Sequence, residues 1–179
     1  SALIKDHCLP FNSHALSLGV AKKRGITQAE VLAEWKQTAD EAIQKGNQAH
    51  LFGELYPFNR GLRPQSQYDI AIMKFWSDLP EYIIPVTMEL QMYHIEKMYA
   101  GTADIILYNT KTNRYIIGDY KTNGDLFKNF KGQKLTGRFN HLLDTPLNKY
   151  QIQLSYYQIL LEQTEVEVSH RKVIWLLPD

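Results

Sequence analysis

The stretch Gly101-Thr-Ala-Asp104-Ile-Ile-Leu-Tyr108, a polar turn over 109–113, and Arg114-Tyr-Ile-Ile-Gly-Asp119-Tyr-Lys121-Thr122 carry the fold. Two short runs rich in β-branched and aromatic residues flank turn chemistry, which reads as an antiparallel hairpin. Folding the runs about the turn pairs positions whose numbers sum to about 222 or 223, so Asp104 stands opposite Gly118 or Asp119. Side chains directly opposed on one face have Cβ atoms roughly 4.5–5.5 Å apart. Asp119 and Lys121 lie two apart and share a face, while the Tyr120 side chain turns to the other.

On the N-terminal side of the hairpin, the first third of the chain is helical in pattern. Thr27 and Glu30 stand in capping-box relation, and Val31, Trp35, Ala39 and Ala42 follow at helical spacing, so a helix is expected from about 27 to 45. Gly46 is expected to end it, with a second short helix carrying His50 and Glu54 on one face. A third helix is expected over 66–78 with Tyr68, Ile72, Phe75 and Trp76 as its apolar face. Strands are expected over 83–92, 101–108, 114–121 and 171–177, with a long polar connection over 123–148 and a helix over 149–163. Helices, three strands, a helix and a strand imply an α/β domain with a mixed sheet.

With 179 residues the chain has the length of one domain, here with a helical part over about 1–80 and the sheet and its helix over about 81–179. Hydrophobic residues at 44% and charged residues at 22% exclude disordered and collagenous classes. No apolar run approaches the ~20 residues that span a bilayer, and Ser1–Asp6 lacks a basic region followed by an apolar stretch. Neither a membrane partner nor a secretory leader is expected. A single cysteine, Cys8, forbids an intramolecular disulfide and a four-cysteine cluster, which fits a reducing, cytoplasmic setting.

Two close carboxylates repel unless a proton or cation neutralises them, and a hard divalent ion with oxygen ligands is the usual remedy. An adjacent lysine can hold an attacking water or stabilise charge on a phosphate that the ion polarises. Asp104, Asp119 and Lys121 therefore suit phosphodiester hydrolysis with Mg2+ or Mn2+. The same residues also suit an Asp–Lys ion pair beside a turn.

The pattern Gly101-x-x-Asp104, then Gly118-Asp119-Tyr120-Lys121-Thr122, then Gln153-x-x-x-Tyr157, preceded by Gly46-x-x-x-His50, resembles the PD-(D/E)xK nuclease superfamily and its RecB-like branch. That branch includes phage exonucleases and the mitochondrial genome maintenance exonuclease. The resemblance covers residues 46–157 and implies a restriction-endonuclease-like core, a central mixed sheet flanked by helices. It implies that His50, Asp104, Asp119 and the Tyr120 backbone carbonyl ligate metal, that Lys121 is the catalytic lysine, and that Gln153 and Tyr157 support the site and contact the substrate. Ala103 stands where the family name has proline, a change that removes no ligand. The cluster cysteines of the CRISPR-associated members are absent, so no iron–sulfur cluster is expected. Glu89, on the strand before the hairpin, either approaches the metal or pairs with Lys97. Glu54 is expected in solvent or behind the ligands.

The connection over 123–149 carries Lys128, Lys131, Lys134, Arg138 and Lys149 among Phe127, Phe130 and Phe139. A basic loop with aromatics suits a nucleic-acid strand, and Thr122 and Tyr150 flank it as further substrate contacts. The alternative is a solvated loop whose phenylalanines pin it to the core. The resemblance implies a metal-dependent deoxyribonuclease, foremost an exonuclease acting on DNA ends or single strands in phage-type recombination, replication or repair, encoded by a bacterium or phage. An endonuclease of restriction or junction-resolving type and a silent DNA-binding module are the alternatives. Members of the branch work alone or as rings, so a homo-oligomer or a recombination partner protein is compatible with it.

Overall fold

A computed structural model of the chain describes residues 2–177. The elements run α1 (Ala2–Lys5), α2 (Ser13–Arg24), α3 (Gln28–Leu55), α4 (Gln67–Asp78), β1 (Ile83–His94), β2 (Tyr99–Asn109), β3 (Arg114–Lys121), α5 (Pro146–Glu162) and β4 (Val168–Trp175). The four strands form one mixed sheet in the order β1-β2-β3-β4. β1, β2 and β3 are an antiparallel meander, and β4 returns through α5 to lie parallel to β3. A parallel neighbour needs such a crossover, which is why a helix stands between the last two strands.

Two compact units result. Leu9–Gln48 is one, and the other described residues form the second, to which α3 gives its last turns from Ala49. The sheet, α4 and α5 all belong to the second unit, so α4 groups with the sheet and not with the N-terminal helices. In the smaller unit, Gln28 donates to the His14 carbonyl and to Ser17 Oγ, and Arg24 pairs with Glu34, tying α2 to the start of α3.

α3 opens on the expected capping box, the Thr27 N–H donating to Glu30 Oε2 at 2.7 Å and the Glu30 N–H to Thr27 Oγ1 at 3.2 Å. It then runs through Gly46 as one 28-residue helix, where the sequence suggested two. A glycine inside a helix costs only about 1 kcal/mol. The packing of Ala49, Phe52 and Tyr56 against the sheet outweighs that. α4 is capped by Ser66 and Asp69, each accepting the other's backbone N–H. α5 starts three residues before the expected position because Thr145 caps it, accepting the Asn148 N–H, and Pro146 suits the first turn.

Two apolar layers enclose the sheet. On one face Ala49, Tyr56, Ile72 and Trp76 pack on Ile105, Leu107, Ile116, Tyr120, Ile174 and Leu176. On the other, α5 places Leu154, Tyr157, Leu160 and Leu161 on Met92, Ala103, Ile106 and Ile117. A smaller cluster of Ile4, Leu135 and Ile152 fastens the long connection. Among the described residues, no helix is long and apolar enough to cross a membrane.

Candidate metal centre

The β2–β3 register pairs Ile105 with Gly118, and the β1–β2 register pairs Met88 with Ile105 and Leu90 with Ala103. Continuing both registers by one row aligns Glu89, Asp104 and Asp119 across three adjacent strands. Regular pairing fails at this row. The β2–β3 ladder ends at Ile105–Gly118, and Glu89 has a φ of 49°, in the left-handed region that a glutamate rarely adopts.

The consequence shows in which layer each neighbour joins. Met88 packs with the α4 side but Leu90 with the α5 side, although residues two apart on a regular strand share a face. Likewise Ala103 lies on the α5 side and Ile105 on the α4 side. Both strands thus change faces at the row of acids. A local irregularity of this kind re-aims a side chain. The Asp104 carboxylate takes the place of the missing ladder bond, Oδ2 accepting the Tyr120 N–H at 2.7 Å.

His50, on the last turns of α3, brings Nδ1 to 3.3 Å from Asp104 Oδ2 and 4.0 Å from Glu89 Oε1. His50, Glu89 and Asp104 each offer one ligand atom, all within 4.8 Å of one another, a group that could hold a metal ion. Of the two roles open to Glu89, pairing with Lys97 is not seen among the described residues. Asp119 lies outside that closest group. It is 1% exposed, and the Lys121 ammonium lies against its Oδ2. A buried carboxylate beside two further carboxylates and an imidazole is a donor set suited to a hard divalent cation. The residues fit Mg2+ or Mn2+. With one cysteine in the chain, they do not fit an iron–sulfur cluster.

The electrostatics agree. Burial, then the Asp104 charge, push the Asp119 carboxyl up to about 6. Burial and Asp104 also raise Glu89. Burial by itself would lower His50 and Lys121, but the facing carboxylates more than offset it, Asp104 foremost for His50 and Asp119 for Lys121, and both cations end above their ordinary values. The site holds excess negative charge that a bound cation would relieve.

Around these groups the chain is closely fitted. The Tyr120 ring lies under Gly53, where a Cβ would overlap it, and the Trp76 indole N–H donates to the Tyr120 hydroxyl at 2.8 Å. The Tyr120 N–H points toward β2, and strand geometry turns its carbonyl the same way, toward Asp104. Gln153 and Tyr157 are buried and bonded to each other at 2.5 Å, with the Tyr157 ring against Gly101. Lys121 lies 4.6 Å from the Tyr150 ring centroid; the Tyr150 hydroxyl donates to Asn123 Oδ1, and the Trp175 indole to the Asn123 carbonyl. Sequence reasoning missed Asn123 and Trp175, since neither carries a motif. Glu54 and Thr122 are half-buried, and the Glu54 charge adds to those that raise Glu89.

Lys128, Lys131, Lys134 and Arg138 are all exposed. The loop is pinned by buried Leu126 and Leu135, by Asn129 donating to the Gln133 and Asp144 carbonyls, and by a bridge between Lys134 and Leu143. Phe127 and Phe130 are 63% and 62% exposed, so only Phe139 among the three phenylalanines helps cover the core. Comparison of the chain with protein-family models, with curated proteins and with solved structures finds no match.

Proposed function

We propose that the chain is a metal-dependent nuclease of PD-(D/E)xK type, foremost a deoxyribonuclease acting on DNA ends or single strands. The observation that carries this reading is the aligned row Glu89, Asp104 and Asp119, joined by His50 and by the half-buried Lys121. The order α4-β1-β2-β3-α5-β4, a meander followed by a helix and a parallel strand, supports a restriction-endonuclease-like core.

A divalent ion held by His50, Asp104, Asp119 and Glu89 would activate a water and polarise a phosphodiester oxygen. Lys121, half-buried and kept charged by Asp119, would meet the negative charge that builds on the phosphate as water adds in line. Asp104, fixed by the Tyr120 N–H, would keep its second oxygen free for the ion. Exposed Phe127 and Phe130 beside lysines offer base-stacking surfaces and phosphate contacts.

End-labelled single- and double-stranded DNA, incubated with Mg2+ or Mn2+ and with EDTA as control, tests the reading. Metal-dependent release of mononucleotides or short oligonucleotides is expected, and internal fragments would mark an endonuclease. Lys121→Ala should lose on the order of 10²–10³ in rate with its fold retained by circular dichroism. No metal-dependent cleavage by the wild type, or full activity in that variant, would overturn it.

A further inference from the structure

β4 is an edge strand: β3 pairs with one side of it, and no strand pairs with the other among the described residues. The backbone groups of a strand point alternately to its two neighbours. The Leu176 N–H donates to the Lys121 carbonyl at 2.8 Å, toward β3, so Val173 and Arg171 present their N–H and C=O groups outward. An edge of this kind is a template for another strand unless something covers it.

Here it forms the floor of a groove of about 980 Å³. Arg138, His141, Arg171 and Lys172 line the groove, and no carboxylate does. Arg138, Arg171 and Lys172 are exposed, and Arg171 is steadied against α5 by donating to Ser155 Oγ at 2.7 Å, a neutral partner. The walls straddle the edge, with Gln151 and Ser155 of α5 on one side and Phe75 of α4 on the other. The phenylalanines of the lining, Phe75 and Phe139, are half-buried and engaged edge-on with Trp76, Tyr120 and His7, so neither offers a free face for a nucleic-acid base, and the imidazole of exposed His141 is the one further ring in the groove.

We propose that this edge accepts an extended, acidic peptide segment of a partner protein as a fifth strand. Main-chain bonds to Arg171 and Val173 give the affinity, and carboxylates meeting Arg171 on one wall and Lys172 on the other give the selectivity. The inference stands apart from the nuclease reading, since it uses none of the carboxylate row.

The probe is a fluorescein-labelled, eight-residue peptide of repeating Glu-Glu-Val-Val, which puts carboxylates on both faces of the added strand, followed by anisotropy and by amide exchange of the protein. Binding is expected, with slowed exchange at the Arg171 and Val173 amides. A Lys/Val peptide and a Glu/Val peptide N-methylated at alternate amides should each bind at least about tenfold more weakly, a loss of about 1.4 kcal/mol. Arg171→Glu combined with Lys172→Glu should reverse the preference between the two charge patterns. No binding at about 1 mM peptide, equal affinity for the N-methylated peptide, or unchanged amide exchange on binding would overturn strand addition. Protection of the same two amides by an eight-nucleotide oligothymidylate, but not by the peptide, would overturn it in favour of a nucleic-acid track.

Discussion

Glu89 is the residue on which the site turns. Its φ of 49° switches β1 from one core layer to the other and brings its carboxylate beside Asp104 and His50. A non-glycine residue held there costs on the order of 1–3 kcal/mol. Glu89→Gly should therefore be more stable than Glu89→Ala by about 1 kcal/mol in urea unfolding; equal stability would show that the backbone is not strained. The same side chain is an expected metal ligand. In the wild type, Mn2+ at a hundredfold excess over its Kd should add about 2.7 kcal/mol of stability. Glu89→Gln should lose most of that increment while its metal-free stability stays level or rises, because one of three aligned charges is gone. Thermal melts with and without Mn2+ read both effects, and an undiminished increment in Glu89→Gln would remove Glu89 from the ligand set.

At the scale of elements, the site depends on two helices coming very close to the sheet. α3 approaches β3 where Gly53 meets the Tyr120 ring, and β2 approaches α5 where Gly101 meets Tyr157. A Cβ at either glycine would lie far inside contact distance of a ring carbon. Gly53→Ala and Gly101→Ala should each cost about 1–3 kcal/mol by overpacking. Gly53→Ala should also weaken metal binding, since it pushes the turn that carries His50. Urea unfolding checks the first effect and Mn2+ titration the second; wild-type stability in both variants would mean that the helices can move away freely. The Gly46-x-x-x-His50 spacing takes a different form from the one expected, because no helix break separates the two residues.

Across the whole molecule, twenty basic and nineteen acidic residues leave a net charge of +1, so any attraction for a polyanion must come from distribution. The loop lysines are exposed while the acids of the site are gathered at the sheet. Neutralising Lys128, Lys131 and Lys134 together should weaken single-stranded DNA binding and lower the log–log salt slope by about 0.7 for each phosphate that is no longer neutralised. An unchanged slope would make the loop a cover only. Local pattern is enough to specify the hairpin, the α/β order and the pairing sum near 223, because alternation and turn chemistry act over a few residues. It also puts Asp104, Asp119 and Lys121 together as candidate groups, whereas His50 enters only through the resemblance carried by Gly46-x-x-x-His50. Long-range packing is what carries α3 through Gly46, since Ala49 and Phe52 on the sheet override a local glycine penalty. The same packing makes Leu126 and Leu135, rather than Phe127 and Phe130, the pins of the loop. It also selects His50 over Lys97 as the neighbour of Glu89: a left-handed backbone inside a strand is stable only when the strands around it over-determine it, a constraint that no local pattern records.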